Sequence, residues 1–274
     1  MAVLLLKNRK GLIGIITLAS IIMLLIAADI LAPYHYNDQD ISRRLQPPSS
    51  KHLFGTDGLG RDVFSRVIYG SRITLLLSLT ISVCTTTIGV LLGLISGYMG
   101  GLSDIIIGKI TEAIWSFPTI VIALALAATM GPGLLNLILV LALLMWIPFA
   151  RVTRAKTMVL REMAFIKYIK ALGMNSLSVM FKHLLPNLFP DIIVLFVLTV
   201  PDAMRVSAAL SFIGLGLQPP TPEWGVIMSE GWRYLFIAPW IIAFPGAFLV
   251  LTVLSLNLLG DVLTDLLNPR TRVE

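Results

Sequence analysis

Three sets of charged side chains have spacings that could do chemistry. In the stretch His52-Leu53-Phe54-Gly55-Thr56-Asp57-Gly58-Leu59-Gly60-Arg61-Asp62-Val63, two carboxylates and a guanidinium are interleaved with three glycines. Glycine permits tight turns, and Asp57, Arg61 and Asp62 held in such turns can close charge-assisted hydrogen bonds. That composition reads first as a folded loop cap without a ligand role. Asp202 and Arg205 stand three residues apart in an apolar run, on one face of a helix. Intramembrane charges are functional candidates by default, and mutual pairing is the ordinary way they are tolerated. Lys109 and Glu112 repeat that spacing nearer the end of an apolar run, where a lysine stem can snorkel to the surface. The sequence has no Gly-x-Ser-x-Gly, no His-Glu-x-x-His and no phosphate-binding loop. His35, His52 and His183 are far apart and fall on opposite sides of the topology derived below, which argues against a shared metal site. Cys84 has no partner in the chain, so no intrachain disulfide forms.

The elements that must position these groups are membrane helices. Of 274 residues, 57% are hydrophobic and 13% charged, with a mean hydropathy of +0.89. Soluble domains carry about 25% charged residues. So few charges cannot coat a 30.0 kDa soluble globule, which excludes a disordered chain, a disulfide scaffold and a cytosolic enzyme. Apolar runs of bilayer length predict about six spans: Gly11–Ala32, Ile73–Gly97, Ile105–Met130, Leu134–Ala150, Ile192–Leu217 and Pro239–Gly260. The first exceeds a signal-peptide core in length and is followed by Pro33, so it reads as an uncleaved helix. Pro118 lies inside the third span, and Pro201, Asp202 and Arg205 interrupt the fifth.

Basic residues orient the spans. Lys7, Arg9 and Lys10 precede the first, Arg270 and Arg272 end the chain, and segment 151–187 holds 7 of the 21 lysines and arginines. The positive-inside rule places both termini and that segment in the cytoplasm. The same bias accounts for the net charge of +6 without invoking nucleic acid. The loops 33–71 and 218–238 then lie outside.

Segment 151–187 reads as a basic helix leaving span four, a break at Gly173, and a second short helix, Ser176–Leu185, ended by Pro186. Tyr168, Ala171, Leu172, Met174 and Leu177 form an apolar crest around Gly173. A lipid surface and a groove on a cytoplasmic partner both select such a segment, and the glycine turn favours a protruding knob. Farther on, Pro219, Pro220, Pro222 and Pro239 stiffen the chain, and Trp224 is read as an interface anchor. This stretch is either a docking surface or a rigid lid.

Four stretches resemble one family. Ala171-Leu172-Gly173 followed by His183-Leu184-Leu185-Pro186-Asn187 is similar to the EAA loop of binding-protein-dependent ABC importer permeases. His52–Val63 resembles the GTDxxGRD signature of the dipeptide, oligopeptide and nickel group. Leu210–Gly225 resembles that group's SFLGLGxxPPxPxWG. Asn257-Leu258-Leu259-Gly260-Asp261, then Asn268-Pro269-Arg270, resembles its C-terminal motif. The order looks like the second, C-type, permease of a heterodimeric pair. The family's Glu-Ala-Ala falls on Lys167-Tyr168-Ile169, so its acid is absent here.

The resemblance implies an all-α integral membrane protein with the type I ABC importer permease fold. It implies an N-terminal helix plus external segment over 1–70, a permease core over 71–261 and a cytoplasmic tail over 262–274. Lys167, Tyr168, Ile169, Lys170, Ala171, Leu172, Gly173 and Met174, with Leu185 and Pro186 fixing the return, are implied to couple to two ATPase subunits. Gly55, Asp57, Gly60, Arg61 and Asp62 form the external motif. Pro220, Pro222, Trp224 and Gly225 are candidates for docking an external solute-binding protein. The implied assembly contains a second homologous permease in a bacterial inner membrane. It has no catalytic residue, metal or cofactor in this chain, because ATP and Mg are used by the partners. Peptide and nickel or metal-chelate cargo both fit. A stand-alone channel or secondary carrier would instead show an inverted repeat or a row of titratable residues at the midplane, and neither is evident.

Overall fold

The computed structural model describes residues 26–267, together with Leu12, Ile16, Thr17, Ala19 and Met23. The first expected span, Gly11–Ala32, lies mostly outside the described residues, as do Asn268, Pro269 and Arg270. Among the described residues the regular structure is helical apart from one isolated bridge between Thr56 and Asp62.

A short helix α1 (Ala28–Leu31) leads into a looped segment with one 3-10 turn at Ile41–Arg43, and then α2 (Val63–Met99). At 37 residues α2 is about 55 Å long, well beyond a bilayer core. It begins ten residues before the expected start at Ile73. Asp62 caps it there, its Oδ2 accepting from the Ser65 amide at 2.7 Å. The expected third span is broken. Helices α3 (Gly101–Trp115) and α4 (Thr119–Met130) meet at 90° across Ser116–Pro118. Proline lacks an N–H and drives the residue before it out of the helical region, so Pro118 divides the run. Helices α5 (Leu134–Met145) and α6 (Ile147–Arg161) form one 28-residue rod, eleven residues longer than expected. Pro148 is tolerated because it sits in the first turn of α6.

The knob follows as α7 (Ala164–Ala171) and α8 (Ser176–Ser178). The second short helix does not end at Pro186 as expected. A π-helical turn, Val179–Leu184, leads directly into α9 (Leu185–Phe212), which continues through Pro190 and Pro201. The wider turn lets the chain omit the amide that Pro186 lacks, so the proline rides on a continuous helix instead of ending one. The fifth span is therefore an unbroken rod from Ser176 to Phe212. Helices α10 (Trp224–Gly231) and α11 (Trp240–Leu267) complete the order. The described residues thus provide four helices long and apolar enough to cross a membrane, and the bent α3–α4 pair makes a fifth.

Packing centres on α2, which runs along α6 and α9. Gly89, Gly93 and Gly97 fall one turn apart on the α6 side of α2. A β-carbon at these positions would lie 2.4 Å from the Trp146 carbonyl oxygen, 2.6 Å from that of Ala150 and 2.7 Å from that of Arg154. The missing side chains let the two backbones touch, which is how membrane helices gain packing where lipid offers no hydrophobic contrast. The expected boundaries at 70/71 and 261/262 fall inside α2 and α11, so neither is a break in the structure.

Candidate functional site

Cap and knob occupy opposite ends of α2. At the N-terminal end, Gly55 and Gly60 both take φ of +73°, the left-handed turn conformation that glycine allows. These turns aim Asp57 inward. Its Oδ1 accepts from the Leu59 amide at 2.8 Å and the Arg61 amide at 3.0 Å. Its Oδ2 accepts from Arg61 Nε and Arg66 Nη1, each at 2.7 Å. The other ends of both guanidiniums reach Glu230 of α10: Arg61 Nη2 donates to Oε1 at 2.8 Å and Arg66 Nη2 to Oε2 at 2.5 Å. Two arginines and two carboxylates thus close a ring without net charge, and Arg66 is fully buried. Burial opposes the charged form of Arg61, but Asp57 and Glu230 outweigh it and raise its pKa. Asp62 is likewise occupied, by Ser65 and by His52 Nδ1 at 2.9 Å. The external motif is therefore a clamp tying the cap to α10. Its members Arg66 and Glu230 escaped the sequence reading. A lone acid in the otherwise apolar run Trp224–Trp232 was the available signal.

The proline-rich stretch divides. Pro220 is exposed, whereas Pro222, Trp224 and Gly225 are buried. Trp224 is not an interface anchor. Its indole Nε1 donates to the Val67 carbonyl at 2.9 Å and its amide to Thr74 Oγ1 at 3.2 Å, both on α2. Gly225 lets α10 approach the Ala208 carbonyl of α9. These three residues support a surface that they do not form. Glu223 caps α10 through the Val226 amide at 3.1 Å, and its complete burial raises its carboxyl pKa. A groove of about 360 Å³ runs over the outside of the clamp, between Leu59, Gln218 and Arg233.

The knob is built the other way. Ile166 is buried with Val179, Met180 and Leu184, which fixes α7 to the start of the long α9 rod. Gly173 takes φ of +83° and ends α7: its amide donates to Lys170 O at 3.0 Å and the Met174 amide to Ile169 O at 3.4 Å. This is the left-handed helix terminus that glycine supplies best. No other atom would lie within 4 Å of an added β-carbon, so the tip is open. Lys167, Tyr168, Lys170, Ala171, Leu172, Gly173 and Met174 are exposed; Ile169 and Leu185 are half-buried and Pro186 is exposed. Lys167, where the resembled family has its acid, pairs with Glu162 at 3.0 Å and holds that carboxyl's pKa below its ordinary value.

Between the two ends, Arg205 Nη2 donates to Asp202 Oδ1, the pairing that their spacing predicts. The pair is not buried against other helices of this chain; about half of each side chain is exposed. Lys109 and Glu112 lie apart from it, on the wall of a cavity beside Arg151 and Arg154. No group of three or more metal-ligating side chains occurs among the described residues.

Residues 89–273 match the family described as the binding-protein-dependent transport system inner membrane component, and residues 4–48 match the N-terminal TM domain of oligopeptide transport permease C. The chain is 40% identical over 266 residues to the dipeptide transport system permease protein DppC of Alkalihalophilus pseudofirmus, covering 97% of this chain and 88% of that protein. It is 39% identical over 256 residues to the glutathione transport system permease protein GsiD of Pectobacterium atrosepticum, covering 92% and 85%. It is 34% identical over 266 residues to the oligopeptide transport system permease protein OppC of Bacillus subtilis, covering 97% and 87%. A multi-helix apolar fold with a clamped cap, an open glycine-ended knob and these matches along nearly its whole length place the chain in the family of binding-protein-dependent transport system inner membrane components, as a permease subunit of an ABC importer.

Proposed function

We propose that this subunit carries short peptides inward, driven by ATP that partner subunits hydrolyse. The observation that supports it most is the knob. Its apolar crest of Tyr168, Leu172 and Leu177 is exposed while Ile166 anchors its base in the core. Exposed apolar side chains on a rigidly seated tip suit docking in a partner's groove. The partner we assign there is an ATPase subunit, one of two, with a second homologous permease completing the membrane unit. The knob continues into the α9 rod through Leu185 and Pro186, so a push on the crest travels along one 37-residue lever. Alternating access follows from that leverage.

The chain itself supplies no ATP or metal chemistry and works without a cofactor, consistent with its lack of a phosphate-binding loop. Its basic segment 151–187 supports a cytoplasmic side for the knob and both termini. The cap then faces outward, and Pro220 with the groove over the clamp is the surface offered to a solute-binding protein. Relatives named for dipeptide and oligopeptide transport favour peptides over metal chelates as cargo.

Uptake of a labelled dipeptide by cells expressing the subunit with its ATPase, permease and binding-protein partners tests this function. Peptide uptake that requires this chain and a functional ATPase supports it. Measurable ATP hydrolysis by the purified chain alone would overturn the division of labour. Orientation is checked by Ser176→Cys on a Cys84→Ser background: labelling from outside intact cells by an impermeant thiol reagent contradicts a cytoplasmic knob.

A further inference from the structure

Asp202 and Arg205 sit on the long α9 rod beside the break between α3 and α4. They line a cavity of about 270 Å³ together with Trp115, Thr119, Met145 and Thr199. That volume corresponds to about nine waters of liquid. Met145 lies eleven residues along the rod from Leu134, about 16 Å from its cap-side end, so the cavity opens well inside the membrane-spanning part. Charges are costly against lipid at that depth. Yet both side chains are about half exposed on this chain. One hydrogen bond joins them, which leaves Asp202 Oδ2 and the remaining Arg205 donors without a partner among the described residues. The face that carries them is therefore turned toward water or toward another polar surface.

A second cavity lies beyond its wall. Trp115, on that wall, lies under Arg151, whose guanidinium carbon is 3.6 Å from the ring centroid. Arg151 also lines the second cavity, of about 590 Å³, with Lys109, Glu112 and the ion pair in which Arg154 Nη2 donates to Asp104 Oδ2 at 2.6 Å. The two cavities adjoin at one stacked cation–aromatic contact. Together they reach from mid-span toward the knob end, with charged side chains set in largely apolar walls.

We infer that the Asp202–Arg205 pair is a transient contact site for the charged ends of a zwitterionic peptide, the carboxylate taking the α-ammonium and the guanidinium the carboxylate. The inference rests on the peptide-import reading. A guanidinium fork matches a carboxylate in geometry. The internal ion pair re-forms when cargo leaves, so the empty site keeps no net charge and holds cargo weakly enough to release it, as conduction requires. Trp115 capped by Arg151 is the barrier between this site and the larger cavity.

The test uses the complete transporter in cells, with Asp202→Asn, Arg205→Gln and the double variant. Membrane abundance is followed by immunoblot and assembly by co-purification of the ATPase subunits. Each single change is expected to lower dipeptide uptake tenfold or more. The double variant restores charge balance and is expected to remain at least tenfold low. Wild-type uptake by the double variant would mean that the pair only neutralises itself, and would overturn the assignment. A second measurement leaves the pair intact: Thr199→Cys on the Cys84→Ser background should react with a charged thiol reagent and be slowed by transported peptide. Absence of reaction, or reaction that peptide does not slow, also overturns it. A wild-type transporter that imports no peptide fails the import reading itself, whereas an importing wild type beside an equally active double variant fails this site alone.

Discussion

The cap and the knob use the same ingredients to opposite ends. Each combines glycine at positive φ (Gly55 and Gly60 in the cap, Gly173 in the knob) with charged side chains near one end of α2. In the cap, the glycine turns fold Asp57 back onto Arg61 and Arg66, and Glu230 closes the ring from α10. In the knob, Gly173 faces open space and most of the side chains around it are exposed. A motif whose charged groups are paired internally is part of the fold. One whose apolar crest is left bare is made for a partner. Spacing in the sequence does not separate the two cases, whereas burial does.

The largest effect is expected at Asp57. Asp57→Ala leaves two buried guanidiniums short of a carboxylate, and removing one partner of a buried ion pair costs about 3–5 kcal/mol. Purified protein should melt much earlier and accumulate poorly in membranes. An unchanged melting temperature would show that the ring does not hold the cap to α10.

Gly173→Val comes next. Valine at φ of +83° is strained, by about 1–3 kcal/mol, but no neighbour is displaced. The protein should insert normally while ATPase co-purification and peptide uptake fall. Normal uptake with normal association would make the knob an indifferent surface turn.

Glu223 adds a pH-dependent contribution on the cap side, because its carboxyl is buried without a cationic partner. Burial raises its folded pKa, so folding favours the protonated form. Stability conferred on the neutral acid is present at low pH and declines as pH rises from the ordinary carboxylate range through the raised folded value. Glu223→Gln should flatten that decline in a melting-temperature series across pH. A variant that keeps the wild-type slope would assign the pH dependence to another group.

Leu172→Ala should give the smallest change in stability, within about 0.5 kcal/mol, since the side chain is 70% exposed. Its effect belongs to association: weaker ATPase co-purification at unchanged melting temperature. A destabilised protein here would mean that the crest packs against its own chain.

Much of this was legible in one sequence. Composition and apolar run length required a membrane protein with about six spans, because too few charged residues exist to face water. The glycine at 173 and the apolar residues around it announced an exposed turn, since left-handed backbone and partner contact both leave local traces. The Asp202–Arg205 pairing followed from helical spacing alone. What spacing could not decide was long-range. Trp224 reads as an interface residue until Val67 and Thr74, some 150 positions away, enclose it. Arg66 and Glu230 are separated by 164 residues, and only the packing of α10 against α2 makes them a pair. Prolines misled in both directions. Pro118 divides α3 from α4 at 90°, whereas Pro186 follows a π-helical turn and rides on a continuous helix. Local steric preference is written in adjacent residues. Whether a charge is buried, a tryptophan enclosed or a proline accommodated depends on which distant backbone arrives beside it, and that is settled only when the helices pack.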